Sequence, residues 1–328
     1  IDFREPDDGA CLARLRSLAG TVPQSAGCVT SAQTHKGRRG APAQWPDGTS
    51  AQSLDAPGAP GRPVEDLYDL FPTDPQQTYE VRDVLDCILD AGSFQEYKAE
   101  YGQTIVCGYA RLGGFAVGVV ANQHHPVKTG AGELQLGGVI YHDSADKAAR
   151  FVMDCNQTWT PLVFFQDVYG FMVGRDSEQA GIIRAGAKLV NVIANSRVPK
   201  LTVITGGSFG AGNYAMCGKA FDPRFLFAWP TARYAVMGSR QAAATLLDVN
   251  IAALRRDGRT PDAEELEELR RKVEASYEDQ TDIRYAAARG WLDEIIEPAQ
   301  TRGALLTALE IATRHTEDEP FRTGVLQV

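Results

Sequence analysis

Thr205 to Tyr214 reads Thr-Gly-Gly-Ser-Phe-Gly-Ala-Gly-Asn-Tyr, and six of its ten residues are Gly, Ala or Ser. It follows an apolar run, Val198 to Ile204, and leads into small residues able to form a helix. Backbone this bare lets a bound group come very close. At a strand-to-helix turn the first amide N–H groups have no internal partner, and the helix dipole favours negative charge there. Such a turn can hold an anion, or an oxygen that becomes one during a reaction. Taken alone, the segment fits a Gly-rich packing turn of an α/β core equally well.

A second turn of the same kind lies upstream. Pro161 to Gln166 is an apolar run ending in Gln that reads as a buried strand. It runs into Asp167-Val-Tyr-Gly-Phe-Met-Val-Gly174 and then into a helical pattern from Glu178 to Ala194. From Gly170 to Ala211 is 41 residues, about one strand-helix unit with its connections. Two consecutive parallel strands would present both turns at one edge of a sheet, where ligands of α/β proteins sit. Two peptide N–H groups converging from adjacent turns make an oxyanion hole without any side chain.

Five ordered motifs carry a family resemblance. They are Asp167 to Gly174, Gly181 to Lys188, Val198-Pro-Lys200, Gly206 to Tyr214, and Ala228-Trp-Pro-Thr-Ala232 with Val236-Met-Gly238. Together they resemble the C-terminal half of the carboxyltransferase (beta) subunit of biotin-dependent acyl-CoA carboxylases. Gly212 to Gly218 and Phe171-Met-Val-Gly174 are most similar to the 3-methylcrotonyl-CoA and geranyl-CoA branch. That branch commonly has Asn-Ile-Thr where this chain has Asp167-Val-Tyr169, so the exact acyl group stays open. The resemblance runs from Tyr68 to His315.

What the resemblance implies is specific. The fold class is α/β, a crotonase-like ββα spiral of the ClpP/crotonase superfamily, here a single C-terminal carboxyltransferase domain. Biotin, carried on a partner protein or domain, brings the CO2 and serves as the base, so no catalytic Asp, Glu or His is needed from the protein. The protein must stabilise two developing oxyanions, and losing one such donor costs about 2.7–4 kcal/mol of barrier. The biotin-side donors by motif match are the amides of Ala211 and Gly212, with Phe171 as a further donor. Gly170, Gly210, Phe209 and Gly174 would line the biotin site, and Tyr214 would contact the acyl substrate. The thioester-side hole would come from an N-terminal carboxyltransferase half, on another chain or removed. Partners implied are acyl-CoA, a biotin carboxyl carrier, a biotin carboxylase that uses ATP and Mg, and further copies of this chain.

Composition agrees with an enzyme core. The 328 residues are 44% apolar and 9% aromatic, enough for a substantial interior. No segment approaches the ~20 apolar residues that span a bilayer. A net charge of −9 argues against nucleic acid as the main partner. The six cysteines show no Cys-x-x-Cys or Cys/His ligand spacing and read as reduced thiols. Cys217 has no nearby histidine to make it a nucleophile. His124-His125 and His142 invite a metal reading, yet adjacent histidines point apart on a strand and no carboxylates cluster with them. No metal site is expected. The reading points to the cytoplasm, or to the mitochondrial matrix in a eukaryote.

The elements that must position these residues follow in order. The chain starts at Ile1 with no visible targeting peptide, and reads as a piece of a longer polypeptide. Residues 1–20 form an N-terminal helical segment, residues 21–66 a Gly/Pro/Ser-rich linker, and residues 67–328 the folded domain. Within the domain, Asp83 to Leu89 has a helical pattern, and Gly92 to Tyr97 suggests a second helix. Thr104 to Leu112 and Phe115 to Asn122 read as a buried hairpin. Helix and strand then alternate: Ala145 to Asn156, Leu162 to Gln166, Glu178 to Ala194, Lys200 to Thr205. Leu254 to Tyr285 is charged and helical, a solvated face or a subunit contact. Asp167 is placed to order its turn, and Trp229-Pro230 to pack the turn before Tyr234. Arg175, Arg184 and Lys188 read as a solvated helix face.

Three functions remain open: a carboxyltransferase component, a biotin-dependent decarboxylase of the glutaconyl-CoA type, and a non-catalytic scaffold half of a carboxylase complex. Two intact Gly turns argue against the scaffold. A crotonase-type hydratase lacks its Glu pair.

Overall fold

The computed structural model describes residues 2–21, 58–74, 77–130, 132–256, 263–314 and 321–323. Twelve strands are present among them: β1 Gln95–Tyr97, β2 Ile105–Leu112, β3 Phe115–Asn122, β4 Val127–Lys128, β5 Leu134–Gln135, β6 Val139–Ile140, β7 Leu162–Val168, β8 Gly170–Phe171, β9 Lys200–Phe209, β10 Phe225–Ala228, β11 Arg233–Ala235 and β12 Glu294–Ile295. The α-helices are α1 Asp8–Thr21, α2 Leu67–Leu70, α3 Val81–Ile88, α4 His142–Gln157, α5 Arg175–Gln179, α6 Ile182–Asn195, α7 Gly210–Ala215, α8 Ser239–Arg256, α9 Ala263–Thr281, α10 Ile283–Ala287 and α11 Thr301–Ala312.

The main sheet has the order β1-β2-β3-β7-β9-β10-β12, with β11 added alongside β9. β2 and β3 form the expected antiparallel hairpin, and from β3 onward neighbours run parallel. A hairpin feeding parallel βα units is the crotonase-like α/β fold. β7 shows why its sequence is continuously apolar: Leu162 and Phe164 pack on α4 and α6, while Val163 and Phe165 pack on α3 and α11. A strand covered on both faces has no polar side to alternate with.

Three expectations change. Gly92 to Tyr97 is not helical. Gly92 takes φ +65° in a turn, and Gln95–Tyr97 pair with Tyr109–Cys107 as an edge strand. The helix expected from Glu178 to Ala194 is two helices, broken at Gly181, whose φ of +95° no right-handed helix accommodates. Finally, the strand expected to stop at Thr205 continues to Phe209, because β11 flanks it in parallel from Gly207 onward.

The expected linker lies outside the described residues over 22–57. From Gly58 the chain lies against the body, with Pro60 bridged to Asp90 and a 3-10 turn at Val64–Asp66. Among the described residues no helix is long and apolar enough to cross a membrane.

Candidate functional site

The first turn leaves the carboxyl end of β7. Tyr169 follows Val168, Gly170 takes φ +141°, and Gly170–Phe171 pair in parallel with Val139–Ile140 of β6. Only glycine adopts such a φ readily. The Tyr169 and Met172 amides donate to the Gly138 and Ile140 carbonyls at 2.8 Å each, pinning the turn from both sides. The Phe171 ring rests on α6, where a methyl built on Gly186 would stand 3.0 Å from it. Met172, Val173 and Arg175 beyond it are exposed.

The second turn leaves β9 and becomes α7. Phe209 is the N-cap, Gly210 takes φ +52°, and no side chain caps the helix. The first amides of α7 therefore have no partner from the helix itself. Ala211 is exposed and Gly212 buried. A buried polar network fixes this turn from beneath. The Ser208 hydroxyl donates to Gln166 Oε1 at 2.8 Å, and Asn213 Nδ2 donates to Ser208 Oγ at 2.6 Å. Gln166 Nε2 donates in turn to the Met216 carbonyl at 2.6 Å. Tyr234 bonds the Asn213 side chain from β11, and burial raises its phenol above the ordinary value.

The two turns touch. A methyl built on Gly212 would lie 2.6 Å from Val168 Cγ2 and 3.1 Å from the Gly170 Cα. Ala211, Gly212, Gly210, Phe209, Gly170 and Phe171 thus come to one place on the sheet edge. Gly174 does not join them there: it caps α5 at φ +113°, exposed, with nothing within 4 Å of a methyl built on it. Tyr214 is 48% exposed and meets Phe221 edge-on, so it is no core tyrosine.

Asp167 sits beneath both turns. The ladder slips there: Gln166 faces Ile204 but Val168 faces Ser208, so Thr205, Gly206 and Gly207 oppose Asp167 alone. The Asp167 carboxylate fills this bulge. Oδ1 accepts from the Gly207 amide at 2.7 Å and Oδ2 from the Tyr79 hydroxyl at 2.9 Å. Gly206 is required because a methyl there would stand 2.4 Å from Asp167 Oδ1. Burial, then the neighbouring Asp167 charge, push the Tyr79 phenol well above its ordinary value, so it stays a donor. His124 stacks on Tyr79, with its Nε2 3.6 Å from Asp167 Oδ2 and 3.3 Å from the Tyr169 hydroxyl. A cavity of about 180 Å³ opens beside this cluster, lined by Phe71, Tyr169, Phe209 and Arg233 among others.

The other singled-out residues are placed as follows. His124 is buried and His125 exposed, both in the connection between β3 and β4. Among the described residues no group of three or more His, Cys, Asp or Glu is placed to hold a metal ion. The buried Cys217 thiol is pushed up to about 11 by burial, which removes its nucleophilic form at neutral pH. Lys188 pairs with Asp146 of α4 at 3.1 Å, while Arg184 is exposed. Trp229 is fully buried and donates to Thr301 Oγ1 at 2.8 Å, so it packs the turn. Sequence reading missed Tyr79, Gln166 and Ser208 as site builders, and took His124 only as a metal candidate. Gln166, a polar residue at the end of an apolar run, offered a signal; Ser208 lay inside the Gly-rich motif and read only as one of its small residues.

Fold and site together define a crotonase-like domain with two adjoining Gly-containing turns at one sheet edge. A model of the carboxyl transferase domain family matches residues 41–324, and the chain belongs to that family. It is 44% identical over 74% of its length to the biotin-dependent 3-methylcrotonyl-coenzyme A carboxylase beta1 subunit of Mycobacterium tuberculosis, covering 43% of that protein. To the methylcrotonoyl-CoA carboxylase beta chain of Arabidopsis thaliana it is 41% identical, over 75% of this chain and 40% of that one. The solved geranyl-CoA carboxylase beta subunit of P. aeruginosa superposes with a TM-score of 0.69 at 37% identity. That match covers 83% of this chain and 48% of the other. The chain thus spans under half the length of these relatives.

Proposed function

We propose that this chain is the biotin-receiving half of the carboxyltransferase of a biotin-dependent acyl-CoA carboxylase. The observation that carries the reading is the contact between Gly212 and the Gly170 turn, which sets two runs of backbone amides side by side. The residues present fit the ureido group of biotin. No side chain caps α7, Ala211 is exposed, and open space stands beside Gly170. Biotin, when delivered on its carrier, supplies both the CO2 and the base for the acyl-CoA carbon acid.

The chain's own residues do the rest. The Ala211 and Gly212 amides would hold the ureido oxygen of bound biotin, with the Phe171 amide adding a donor from the adjoining turn. Gly210, Gly170 and Phe209 shape the approach, Gly174 standing apart at the start of α5, and half-exposed Tyr214 faces the acyl group. Asp167 holds geometry, its two oxygens accepting from the Gly207 amide and the Tyr79 hydroxyl. The 3-methylcrotonyl-CoA branch is the favoured substrate class, given the relatives named above. The thioester donors belong to an N-terminal half that these relatives have the length to hold. Biotin carboxylase and carrier subunits, with ATP and Mg on the carboxylase, complete the proposed machine. A further relative, transcarboxylase 12S, was solved as a hexamer with hydrolysed methylmalonyl-coenzyme A bound, and it supports oligomeric assembly here.

The test is incorporation of radiolabelled bicarbonate by the affinity-isolated native complex with ATP. Separate tubes hold 3-methylcrotonyl-, geranyl-, propionyl-, acetyl- and glutaconyl-CoA. Avidin-sensitive label in one acyl-CoA is the expected result. Label in none, with a biotinylated partner present, overturns the reading.

A further inference from the structure

Each donor turn is preceded by one aromatic residue: Tyr169 before Gly170, and Phe209 before Gly210. These two rings stack, with centroids 6.0 Å apart and planes 13° from parallel. That spacing lies in the range of favourable offset stacking. Each ring is also seated on a glycine. A methyl on Gly138 would stand 2.8 Å from Tyr169 Cδ2, and one on Gly207 would stand 3.0 Å from Phe209 Cε2. No larger residue at either position leaves both rings where they are.

The stack is tied at both ends to the same carboxylate. Asp167 reaches the Phe209 side through the Gly207 amide at 2.7 Å. On the Tyr169 side it lies 3.6 Å from His124 Nε2, itself 3.3 Å from the Tyr169 hydroxyl. His124 is fixed in turn by its stack on Tyr79, whose hydroxyl also donates to Asp167. Two turns whose rings are 40 positions apart are thus joined by a ring contact and a polar hub, besides the contact at Gly212.

We propose that the Tyr169–Phe209 stack, anchored by Asp167 and His124, is a spacer that sets the separation of the two donor turns. Tyr169 and Phe209 are positioning residues: they act on the amides of Phe171 and Ala211 through the backbone. An oxyanion hole depends on donor spacing to a fraction of an ångström, so loss of the spacer reduces turnover and leaves substrate affinity unchanged.

The experiment is backbone hydrogen exchange on the full chain, wild type against Phe209→Leu, Tyr169→Leu and the double variant. Phe209→Leu is expected to raise exchange across 169–174 as well as across 209–214, by roughly tenfold. Tyr169→Leu does the reciprocal, the double variant adds little, and Phe209→Tyr restores wild-type exchange. Residues 162–166 of β7 stay protected in all, which shows that the fold is kept. Exchange rising only at the substituted turn, or doubling up additively, overturns the spacer. The kinetic arm, in the native complex, rests on the carboxyltransferase reading: kcat falls roughly tenfold in each Leu variant with KM within about threefold. If the wild-type complex carboxylates nothing, that reading fails and the exchange arm still decides the spacer.

Discussion

The two Gly turns reach the same sheet edge by different means. The turn at Phe209–Tyr214 is wired from below by Gln166, Ser208 and Asn213, all buried. The turn at Tyr169–Gly174 is held mainly from its flank, by β6 and by the Phe171 ring on α6, with the Tyr169 hydroxyl reaching His124 at 3.3 Å. Their glycines differ accordingly. Gly212 has no room for a methyl, whereas Gly170 has room but a φ of +141° that other residues avoid. One turn is limited by space and the other by backbone conformation. Sequence alone shows Gly in both places; only the structure separates the two causes.

The largest expected effect comes from the space-limited position. Gly212→Val drives a side chain into Val168 and the Gly170 backbone, pushing the turns apart. Carboxyl transfer is expected to fall by about 10²–10³ in kcat, with a stability loss of about 1–3 kcal/mol by denaturant titration. Next is the wired network. Asn213→Ala removes the donor to the buried Ser208 oxygen, which keeps only its bond to Gln166, and a loss of about 1–3 kcal/mol is expected by the same titration. If Asn213→Ala costs nothing, the wiring is decorative and the contrast between the turns collapses. Gly170→Ala tests the other cause: about 1 kcal/mol or more of backbone strain, without a packing clash.

These contrasts show how far the residues speak for themselves. The hairpin, β7, β9 and both Gly turns were legible, because continuous apolar runs and clustered small residues have few other uses in an α/β core. The adjacency of Ala211, Gly212 and Phe171 followed from the length of one βα unit. The break at Gly181 was not legible, since the same pattern carries Gly186, which stays inside α6, so a glycine there does not by itself mark an end. Tyr79 was invisible for a different reason. It lies 88 positions from Asp167 and carries no local pattern, so only tertiary folding reveals its bond. His124 suffered likewise: its type suggested a metal, while its partners turned out to be an aspartate and two tyrosine rings.

Smaller effects come from titration. Burial pushes the Cys107 thiol up to about 12, Cys217 to about 11 and, for the first turn, the Tyr169 phenol to about 12. Groups raised in the folded state ionise first in the unfolded chain. Stability is therefore full below pH 9 and is lost as pH rises through about 11–12. Buried Lys147 is lowered by burial and works in the opposite sense, so it softens the fall without reversing it. Thermal melts from pH 8 to 11 check the sign; a Tm that climbs over that range contradicts it. Smallest for the fold is Tyr214. Being half-exposed, Tyr214→Ala is expected to change stability by no more than about 0.5 kcal/mol, while shifting the rate ratio between two acyl-CoAs roughly tenfold.

The most direct measurement compares wild type with Gly212→Val in the reconstituted complex, following avidin-sensitive transfer of labelled CO2 to acyl-CoA while size-exclusion chromatography confirms equal assembly. Transfer by the wild type, with under roughly 1% of it left in the variant, is the expected result. Equal transfer by both would show that the paired turns are not where carboxyl transfer happens.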